Sequence, residues 1–383
     1  MLRHRLLLWV AALPLFVVQP LLASIVQVGT CKTNVASYPT ISAAVSAVSA
    51  GSTVEVCPGT YAEQVTITEA LTLVGVAQGS ADQVVITVPD DGLVANAASI
   101  FGQPVAAQLL IQSASPVNIT NIAVDGTGGD MACVSNTWIA GIFYTSTSSG
   151  TLNKVRASNQ IDGGCGVAIW AENGDTENQS VTIENSSAYN VDNAGIFAAS
   201  GGTPSLSVNL ISNVVNASGV AGIVAQNVTG QIRTNIISNS SIGVFGNAAG
   251  INVAGNTVVA SGYGIYLVQG GTATGNNVSG SNTGVLLAAP GATVKNNRVV
   301  SSAGVGLELG CFTATVSGNT IYDAPVGIDQ DAGSLGSNNF GNSATTITQG
   351  CAAGAAAPAA RPMLAKSQGQ WRTPATPFGT RTK

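Results

Sequence analysis

The stretch from residue 264 to residue 284 reads GIYLVQGGTATGNNVSGSNTG, and its pattern returns along most of the chain. A glycine followed by apolar residues recurs, and the last steps between these glycines are 20 to 22 residues long. The series consists of Gly141, Gly166, Gly195, Gly222, Gly243, Gly264, Gly284, Gly306 and Gly327. A second series keeps the same spacing and consists of Asn213, Asn235, Asn256, Asn276, Asn297 and Asn319. Two series in step indicate a repeat architecture.

Each unit combines short β-branched segments, such as Ile251-Asn252-Val253, with turn residues. A helical repeat would need a long run of 3.6-residue periodicity, and we find none after Ala50. Stacked coils of this length pair each strand with its copy in the next coil, in a parallel sheet. The sequence therefore predicts an all-β fold, a single-stranded right-handed parallel β-helix solenoid. We expect the repeated asparagines to form an internal hydrogen-bonded ladder with a structural role.

Both ends of a solenoid need cover, because they expose unpaired strand edges. Residues 39–50 predict an N-terminal capping helix, since their apolar side chains share one helical face. That face consists of Ile41, Ala44, Val45 and Val48. The predicted β-helix domain spans residues 24–351. Residues 352–383 are rich in Ala and Pro, basic and without periodicity, and are predicted to be a disordered tail.

The first 23 residues have the order of a secretory signal peptide. A short basic head precedes the apolar run Leu6–Val18, and small residues end the segment near Ala23. The alternative is a membrane anchor, but the run is shorter than the roughly 20 residues that a spanning helix needs. Pro14 and Pro20 also interrupt it. We therefore expect a secreted protein, extracellular or periplasmic, with no membrane span in its mature form.

The six cysteines fit an oxidising compartment. Because neighbouring coils contact only each other, pairing should follow the sequence order. The predicted disulfides are Cys31–Cys57, Cys133–Cys165 and Cys311–Cys351. The alternative is that some of these cysteines are free buried thiols.

Charge and histidine content exclude several function classes. Residues 25–360 hold 18 acidic and 6 basic side chains, so the body does not have the basic stripe of a nucleic-acid binder. The sole histidine is His4, within the predicted signal peptide. The mature chain therefore cannot use Ser-His-Asp or Cys-His catalysis, and it cannot form a histidine-ligated zinc or copper site.

Two parts of the chain resemble known families. Residues 38–45 (YPTISAAV), 51–67 (GSTVEVCPGTYAEQVTI) and 71–75 (LTLVG) are similar to the opening of pectin methylesterases and related β-helix proteins. The later repeats, with their Gly-Ile/Val-x-Leu strands and Asn-x-Val/Ile turns, resemble NosD-like and other carbohydrate-binding and sugar-hydrolase repeats of the pectin-lyase-like superfamily. The resemblance implies the β-helix fold and a relation to carbohydrates.

The catalytic motifs of these families do not carry over to this sequence. The Gln-Asp pair and the Asp-Phe-Ile-Phe-Gly segment of pectin methylesterases are absent, as is the Gly-His-Gly of polygalacturonases. The Trp-Ile-Asp-His signature of pectate lyases is also missing. NosD-like copper handling would want His or Met, and the body before the tail offers only Met131. Copper binding is not expected.

In the strand after each repeat glycine, the second residue should face outward. This outward column consists of Phe143, Ala168, Phe197, Val224, Phe245, Tyr266, Leu286, Glu308 and Asp329. Its aromatic members stand out in a chain with 5% aromatic residues, and flat rings suit sugar faces. Phe143, Phe197, Phe245 and Tyr266 are therefore predicted to bind substrate. The alternative is that a long loop, the tail or a partner subunit covers the stripe.

Glu308 and Asp329 end this column on adjacent coils. One coil of rise would place their carboxyls about 5 Å apart, the separation expected of a retaining glycosidase pair. Crowded carboxylates also raise one pKa, as a general acid requires. The two residues are the catalytic candidates. The alternative is a solvated acidic patch or an adventitious calcium site.

A second acidic group lies in and near the longer coil between Gly166 and Gly195. It consists of Asp162, Glu172, Asp175 and Glu177, which we predict as a calcium site. Calcium is the one cofactor that the sequence suggests.

The sequence thus predicts a secreted β-helix protein that binds or cleaves a polysaccharide or cell-surface glycan through its lateral face. If it is an enzyme, a polysaccharide lyase or a glycoside hydrolase-like activity is expected. The alternative is a non-catalytic surface or structural protein that uses the β-helix as a rigid rod. The oligomeric state is left open.

Overall fold

The computed structural model describes residues 23–76, 83–129, 136–161, 163–203, 205–259 and 262–349. The predicted signal peptide up to residue 22 and the predicted tail lie outside the described residues and stay predictions. The described chain winds into a right-handed parallel β-helix, as the repeat predicted. Each regular coil contributes three strands, and the stacked strands form three faces, which we number from the strand that follows the repeat glycine.

Face 1 carries the longest strands. They are Val65–Ile67, Pro104–Ile111, Trp138–Tyr144, Gly166–Asn173, Ala194–Ser200, Ala221–Gln226, Ile242–Asn247, Tyr263–Leu267, Thr283–Leu287, Val305–Ser317, Val326–Leu335 and Thr345–Gln349. The strands Val305–Ser317 and Val326–Leu335 continue round the corner into face 2. A two-residue strand, Ala97–Ala98, pairs antiparallel with Pro104–Ile111.

Face 2 follows face 1 in each coil. Its strands are Ile25–Val28, Ser52–Val56, Leu71–Gly75, Val117–Thr120, Gly150–Asn153, Gln179–Glu184, Leu206–Ile211, Thr229–Arg233, Ile251–Ala254, Thr272–Thr274 and Thr293–Lys295. A short strand, Ala36–Tyr38, pairs with the first of them.

Face 3 closes each coil. Its strands are Gly59–Ala62, Val84–Thr87, Ala123–Asp125, Arg156–Ser158, Ser187–Val191, Val214–Ser218, Ile236–Ser238, Thr257–Val259, Asn277–Ser279, Arg298–Val300, Thr320–Tyr322 and Asn339–Gly341.

The interior is filled by columns of aliphatic side chains in register. On face 1 the inward column is Ile142, Ile169, Ile196, Ile223, Val244, Ile265, Val285, Leu307 and Ile328. All of these side chains are buried. Burying one such side chain contributes about 1.5–3 kcal/mol relative to leaving it exposed. The repeated strands therefore stabilise the solenoid coil by coil.

The repeat glycine is fixed by lack of space at the entry to face 1. A Cβ atom on Gly264 would overlap the Val278 side chain of face 3 and the carbonyl oxygen of Gly284 in the next coil. A Cβ atom on Gly243 or Gly284 would overlap an equivalent valine side chain of face 3 and an equivalent glycine carbonyl oxygen of the next coil. No side chain fits where the chain passes from face 3 to face 1, and this accounts for the spacing of the glycine series.

The predicted asparagine ladder is confirmed and lies inside the turn between faces 2 and 3. The Asn256 side-chain amide donates to the side-chain oxygen of Asn276 at 3.0 Å and to the Ile232 carbonyl at 2.8 Å. Its own side-chain oxygen accepts from the backbone N–H and the side-chain amide of Asn235, each at 2.9 Å. The same pattern runs from Asn213 to Asn338. Each asparagine thus satisfies polar groups of the coils on both sides of its own.

A helix covers Ile41–Ala47, within the predicted range 39–50. The Thr40 hydroxyl accepts from the Ala43 N–H at 3.0 Å and caps its N-terminus. The Glu63 carboxylate accepts from the Ile41 and Ser42 N–H groups at 2.8 and 2.9 Å. The role of this helix as the cap of the solenoid remains a prediction. Among the described residues, no helix is long and apolar enough to cross a bilayer.

The disulfide predicted between Cys31 and Cys57 is confirmed, with the two Cα atoms 5.6 Å apart. Cys165 is also disulfide-bonded. Its predicted partner, Cys133, lies outside the described residues, as does Cys351. The pairs Cys133–Cys165 and Cys311–Cys351 therefore stay predictions.

The substitution Asn256→Ala tests the ladder. It removes the side-chain oxygen that accepts from the backbone N–H and the side-chain amide of Asn235. It also removes the side-chain amide that donates to the Ile232 carbonyl. We expect the free energy of unfolding to fall by about 3 kcal/mol, measured by urea denaturation. Asn277→Ala is the control, because within the described ranges the side chain of this exposed asparagine bonds only to Arg298; it should cost less than about 0.5 kcal/mol. Equal unfolding midpoints for the two variants would contradict the ladder's energetic role.

Candidate functional site

The outer surface of face 1 carries a column of large side chains in register. From the N-terminal coils onward it consists of Leu110, Phe143, Trp170, Phe197, Val224, Phe245, Tyr266, Leu286, Glu308, Asp329 and Thr348. The lateral face predicted from the sequence therefore exists as one continuous line of side chains across the coils.

One member of the predicted column is wrong, because Trp170 stands where Ala168 was expected. The prediction aligned Gly166 with Gly141, but Gly166 pairs with Ile139. The Gly166 coil is thus shifted by two residues relative to its glycine marker. The shift adds a further aromatic ring to the column.

The aromatic rings of the column contact one another. The ring centroids of Phe143 and Trp170 are 5.0 Å apart, and those of Trp170 and Phe197 are 5.2 Å apart. Further along the column, Phe245 and Tyr266 meet edge to face at 5.3 Å. Such pairs stabilise by about 0.5–1.5 kcal/mol beyond the burial of their area. The column is a second hydrophobic cluster outside the coil.

The expectation that these rings are exposed is wrong. The exposed fractions of Phe143, Phe197, Phe245 and Tyr266 are 0%, 1%, 2% and 6%. In the N-terminal half, Phe101 meets Phe197 edge to face at 6.2 Å. A loop therefore covers this part of the column, as the alternative interpretation predicted. Sugar binding by these four side chains remains a prediction, and it would require their faces to be uncovered.

The covering segment is a hairpin, residues 96–105, that follows the face 3 strand Val84–Thr87 and ends in the face 1 strand Pro104–Ile111. The Asn96 side chain holds its base, since it pairs with both the N–H and the carbonyl of Ala107 at 2.9 Å. The Gln64 side chain pairs in the same way with Val94. At the tip, the Ile100 N–H donates to the Glu172 carboxyl at 2.9 Å.

Glu172 is a buried carboxyl among apolar groups. One oxygen accepts from Ile100, and the other is buried without a hydrogen-bond partner among the described residues. Burial raises the pKa of Glu172 to about 8, although the Ile100 N–H and the Trp170 indole lower it in part. The indole N–H itself lies outside hydrogen-bond geometry. Glu172 is therefore protonated at neutral pH.

The three predicted calcium ligands that the structure describes do not form a metal site by themselves, and the site that includes Asp162 stays a prediction. Asp162 lies outside the described residues, Glu172 is buried, and Asp175 and Glu177 are exposed. Across the described ranges, no group of three Asp, Glu, His or Cys side chains is placed to hold a metal ion. The structure thus offers no assembled calcium cage among these residues.

A groove of about 620 Å³ opens beside the hairpin tip. Backbone and side-chain atoms of the turns after the face 1 strands line it opposite the hairpin. The lining includes Ser99, Ile100, Ser146, Asp175, Thr176 and Thr203. Its hydroxyl and carboxylate groups can donate and accept hydrogen bonds.

Glu308 and Asp329 pair in register on adjacent strands, as predicted, and both are half-buried. The Thr283 hydroxyl donates to Glu308 at 3.2 Å, and the Thr348 hydroxyl donates to Asp329. Adjacent strands lie about 4.8 Å apart, so the two carboxylates share one patch of face 1. We call this patch the acidic end of face 1. The catalytic role of the pair stays a prediction.

Two tyrosines lie beside the acidic end. The ring centroids of Tyr263 and Tyr266 are 5.8 Å apart. Burial, with a smaller contribution from the charge of Glu308, raises the pKa of Tyr263. Burial also raises the pKa of Tyr266 to about 12, and Tyr263 and Glu308 add to the effect. Both phenols therefore stay protonated and can donate hydrogen bonds, but they are not poised as bases.

Sequence reasoning missed Trp170, Tyr263 and the burial of Glu172. The sequence did contain a signal for Trp170. Aligning Ile169 with the inward column of isoleucines, instead of aligning Gly166 with the other glycines, places Trp170 in the outward column. Tyr263 precedes its repeat glycine, outside the triplet used to define the column. Glu172 gave no local signal, since its cover comes from the hairpin.

Comparison with known proteins supports the fold. Residues 208–351 match the family model described as periplasmic copper-binding protein (NosD). The A-module of the mannuronan C-5 epimerase AlgE4 from Azotobacter vinelandii is 15% identical, with a TM-score of 0.54 over 79% of this chain and 91% of that one. The GH136 lacto-N-biosidase from Eubacterium ramulus is 10% identical, with a TM-score of 0.63 over 86% of this chain and 68% of that one. No curated protein sequence matches this chain.

The described residues do not fit a copper site. Copper prefers imidazole, thiolate and thioether ligands. The described ranges hold no histidine or methionine, since His4, Met1, Met131 and Met363 all fall outside them. Cys31, Cys57 and Cys165 are bound in disulfides. The matched residues 208–351 themselves contain no histidine or methionine.

The raised pKa of Glu172 predicts a pH-dependent stability. Between the ordinary pKa of 4.5 and about 8, the folded protein keeps a proton that the unfolded chain has released. The free energy of unfolding should therefore fall as pH rises through this window, by up to about 4 kcal/mol, and level off above it. Urea denaturation from pH 5 to pH 9 measures this slope.

The matched variants are Glu172→Gln, which removes the titrating proton, and Glu177→Gln, which changes an exposed carboxylate of the same coil. The first should flatten the pH dependence, and the second should leave it as in the wild type. If Glu172→Gln keeps the full slope, another group causes it.

Proposed function

We propose that this chain is an exported β-helix protein that binds a polysaccharide at the acidic end of face 1. The observation that carries the proposal is the in-register pair of Glu308 and Asp329, half-buried beside Tyr263 and Tyr266. Elsewhere the described column is apolar and closed. At this end it changes to the carboxylates of Glu308 and Asp329 and the hydroxyl of Thr348.

The chemistry of these groups suits sugars. Carboxylates accept hydrogen bonds strongly from hydroxyl donors, and a sugar carries several hydroxyls on each ring. The half-buried ring of Tyr263 offers an apolar body with a polar rim. Strands rising about 4.8 Å per coil present the groups as a ladder along which an extended polymer can lie. Structural neighbours named as a mannuronan epimerase and a lacto-N-biosidase support a carbohydrate ligand.

A catalytic step can be assigned to the same pair if the bound polymer is cleaved. In a retaining glycosidase, one carboxyl protonates the leaving oxygen and the other attacks the sugar carbon, with the two about 5 Å apart. The register of Glu308 with Asp329 on adjacent strands, which lie about 4.8 Å apart, supports a separation of this order. Water would then hydrolyse the glycosyl-enzyme intermediate, which frees the attacking carboxylate and releases a new reducing end.

The buried aromatic rings favour the second candidate, a non-catalytic surface or structural protein. Rings that pack against each other and against Phe101 stabilise the outer side of face 1. In that case the β-helix is a rigid rod, and the acidic end is a solvated patch. Binding measurements on the acidic end separate the two candidates.

Glu308→Gln and Asp329→Asn test the proposal. Each removes a charge and keeps the size of the side chain, so binding of a polysaccharide should weaken by about tenfold, equivalent to about 1.4 kcal/mol. A polysaccharide array followed by calorimetry on the best ligand gives the dissociation constant. Reducing-end release measured on the same array reports cleavage, which either variant should abolish.

Glu184→Gln is the matched control. Glu184 is a half-buried carboxylate on face 2, away from the acidic end. The control should bind and cleave as the wild type does. If all three variants bind alike, the acidic end is not the binding site, and the result favours the non-catalytic surface or structural protein.

A further inference from the structure

The basic side chains of the body are segregated from face 1. Between residues 25 and 349 the sequence holds six of them: Lys32, Lys154, Arg156, Arg233, Lys295 and Arg298. Arg233 and Lys295 end face 2 strands, and Arg156 and Arg298 begin face 3 strands. Lys154 lies at the corner between these two faces, and Lys32 pairs with Glu55 of face 2.

Face 1 and its following turn carry the opposite charge. Glu308 and Asp329 lie on the outer column, and Asp175 lines the groove beside the hairpin tip. The negative charge of Glu308 reaches across face 1, because it helps to raise the pKa of both Tyr263 and Tyr266. A ligand that lies along face 1 therefore meets hydrogen-bond acceptors and negative potential.

We infer that the glycan recognised on face 1 is a neutral sugar polymer, without carboxylate or sulfate groups. This inference rests on the proposed function and names the substrate class of that same site. It sets the chain apart from its structural neighbour that is named for mannuronan, a polymer of a uronic acid.

Two physical effects support this substrate class. A uronate carboxylate can only accept hydrogen bonds, so opposite Glu308 and Asp329 it leaves acceptors facing acceptors. Like charges at such short range also repel, and the low dielectric beside the protein surface strengthens that repulsion. Neutral sugar hydroxyls instead donate to both carboxylates, while the half-buried Thr348 hydroxyl and Tyr263 phenol supply further polar contacts.

Affinity electrophoresis of the full chain in native gels tests the inference. The probes are soluble neutral α- and β-linked hexose and N-acetylhexosamine polymers on one side, and alginate and polygalacturonate on the other. We expect at least one neutral polymer to retard the protein and the two polyuronates to bind at least tenfold more weakly. Raising the salt concentration should strengthen any residual polyuronate binding, because it screens repulsion.

Two double variants that each remove two negative charges distinguish an effect of the charge on face 1 from an effect of the total charge of the protein. The double variant Glu308→Gln, Asp329→Asn should lose affinity for the neutral polymer and gain affinity for polyuronate. The control Glu184→Gln, Asp323→Asn makes the same change in charge on face 2 and at the end of a face 3 strand, and should alter neither.

The outcomes distinguish this inference from the proposed function. If the wild type prefers a polyuronate, the substrate class is overturned and polysaccharide binding stands. If only the control variant changes polyuronate binding, the charge on face 1 does not select the ligand, and the inference fails. If no polymer of the panel binds, the proposed function and the substrate class fall together.

Discussion

The asparagine ladder is the constraint on which the solenoid depends. A parallel β-helix must turn its backbone at the same place in every coil, and at the turn between faces 2 and 3 the buried polar groups have no water to satisfy them. Asn256 and its counterparts supply donors and acceptors to the coils on both sides. The ladder continues from Asn213 to Asn338, although its steps vary from 19 to 22 residues. It therefore aligns the same turn in each of these coils and holds the columns on either side of the turn in register.

The register explains why the chain has two hydrophobic clusters. Inward residues of face 1 fill the solenoid, as in any β-helix, and the outward residues stack as a second apolar line. This line is closed in its N-terminal half by the hairpin tip, where Ile100 and Phe101 pack on it. Burial of Glu172 under the same tip follows from that closure, and so does its raised pKa. At the other end the line changes to carboxylates, where polar chemistry becomes accessible.

The sequence predicted the fold because the coil is local: glycine, β-branched strand and asparagine turn recur within about 21 residues. It predicted the in-register pair of Glu308 and Asp329 for the same reason. It could not predict burial of Phe143 or Phe197, because their cover comes from residues far away in sequence. The Gly166 coil was misaligned because its length differs from that of the regular coils, and its glycine does not occupy the position that Gly264 and its equivalents occupy. Asp175 and Glu177 were grouped with Glu172 by proximity in sequence, which does not place carboxylates around a metal ion.

The glycine at the entry to face 1 has a consequence for how such a chain can change its length. Regular coils contact each other through the same close approach at the repeat glycine and the same hydrogen bonds of the asparagine amide. The boundary between any two of them is therefore equivalent to the next. Duplication or loss of one whole coil between Gly222 and Gly306 would keep the glycine at the entry to face 1 and the asparagine turn in the coils on either side. It would move the acidic end relative to the hairpin by one strand spacing, about 4.8 Å. A chain lengthened or shortened in this way would keep both features and differ in the distance between them.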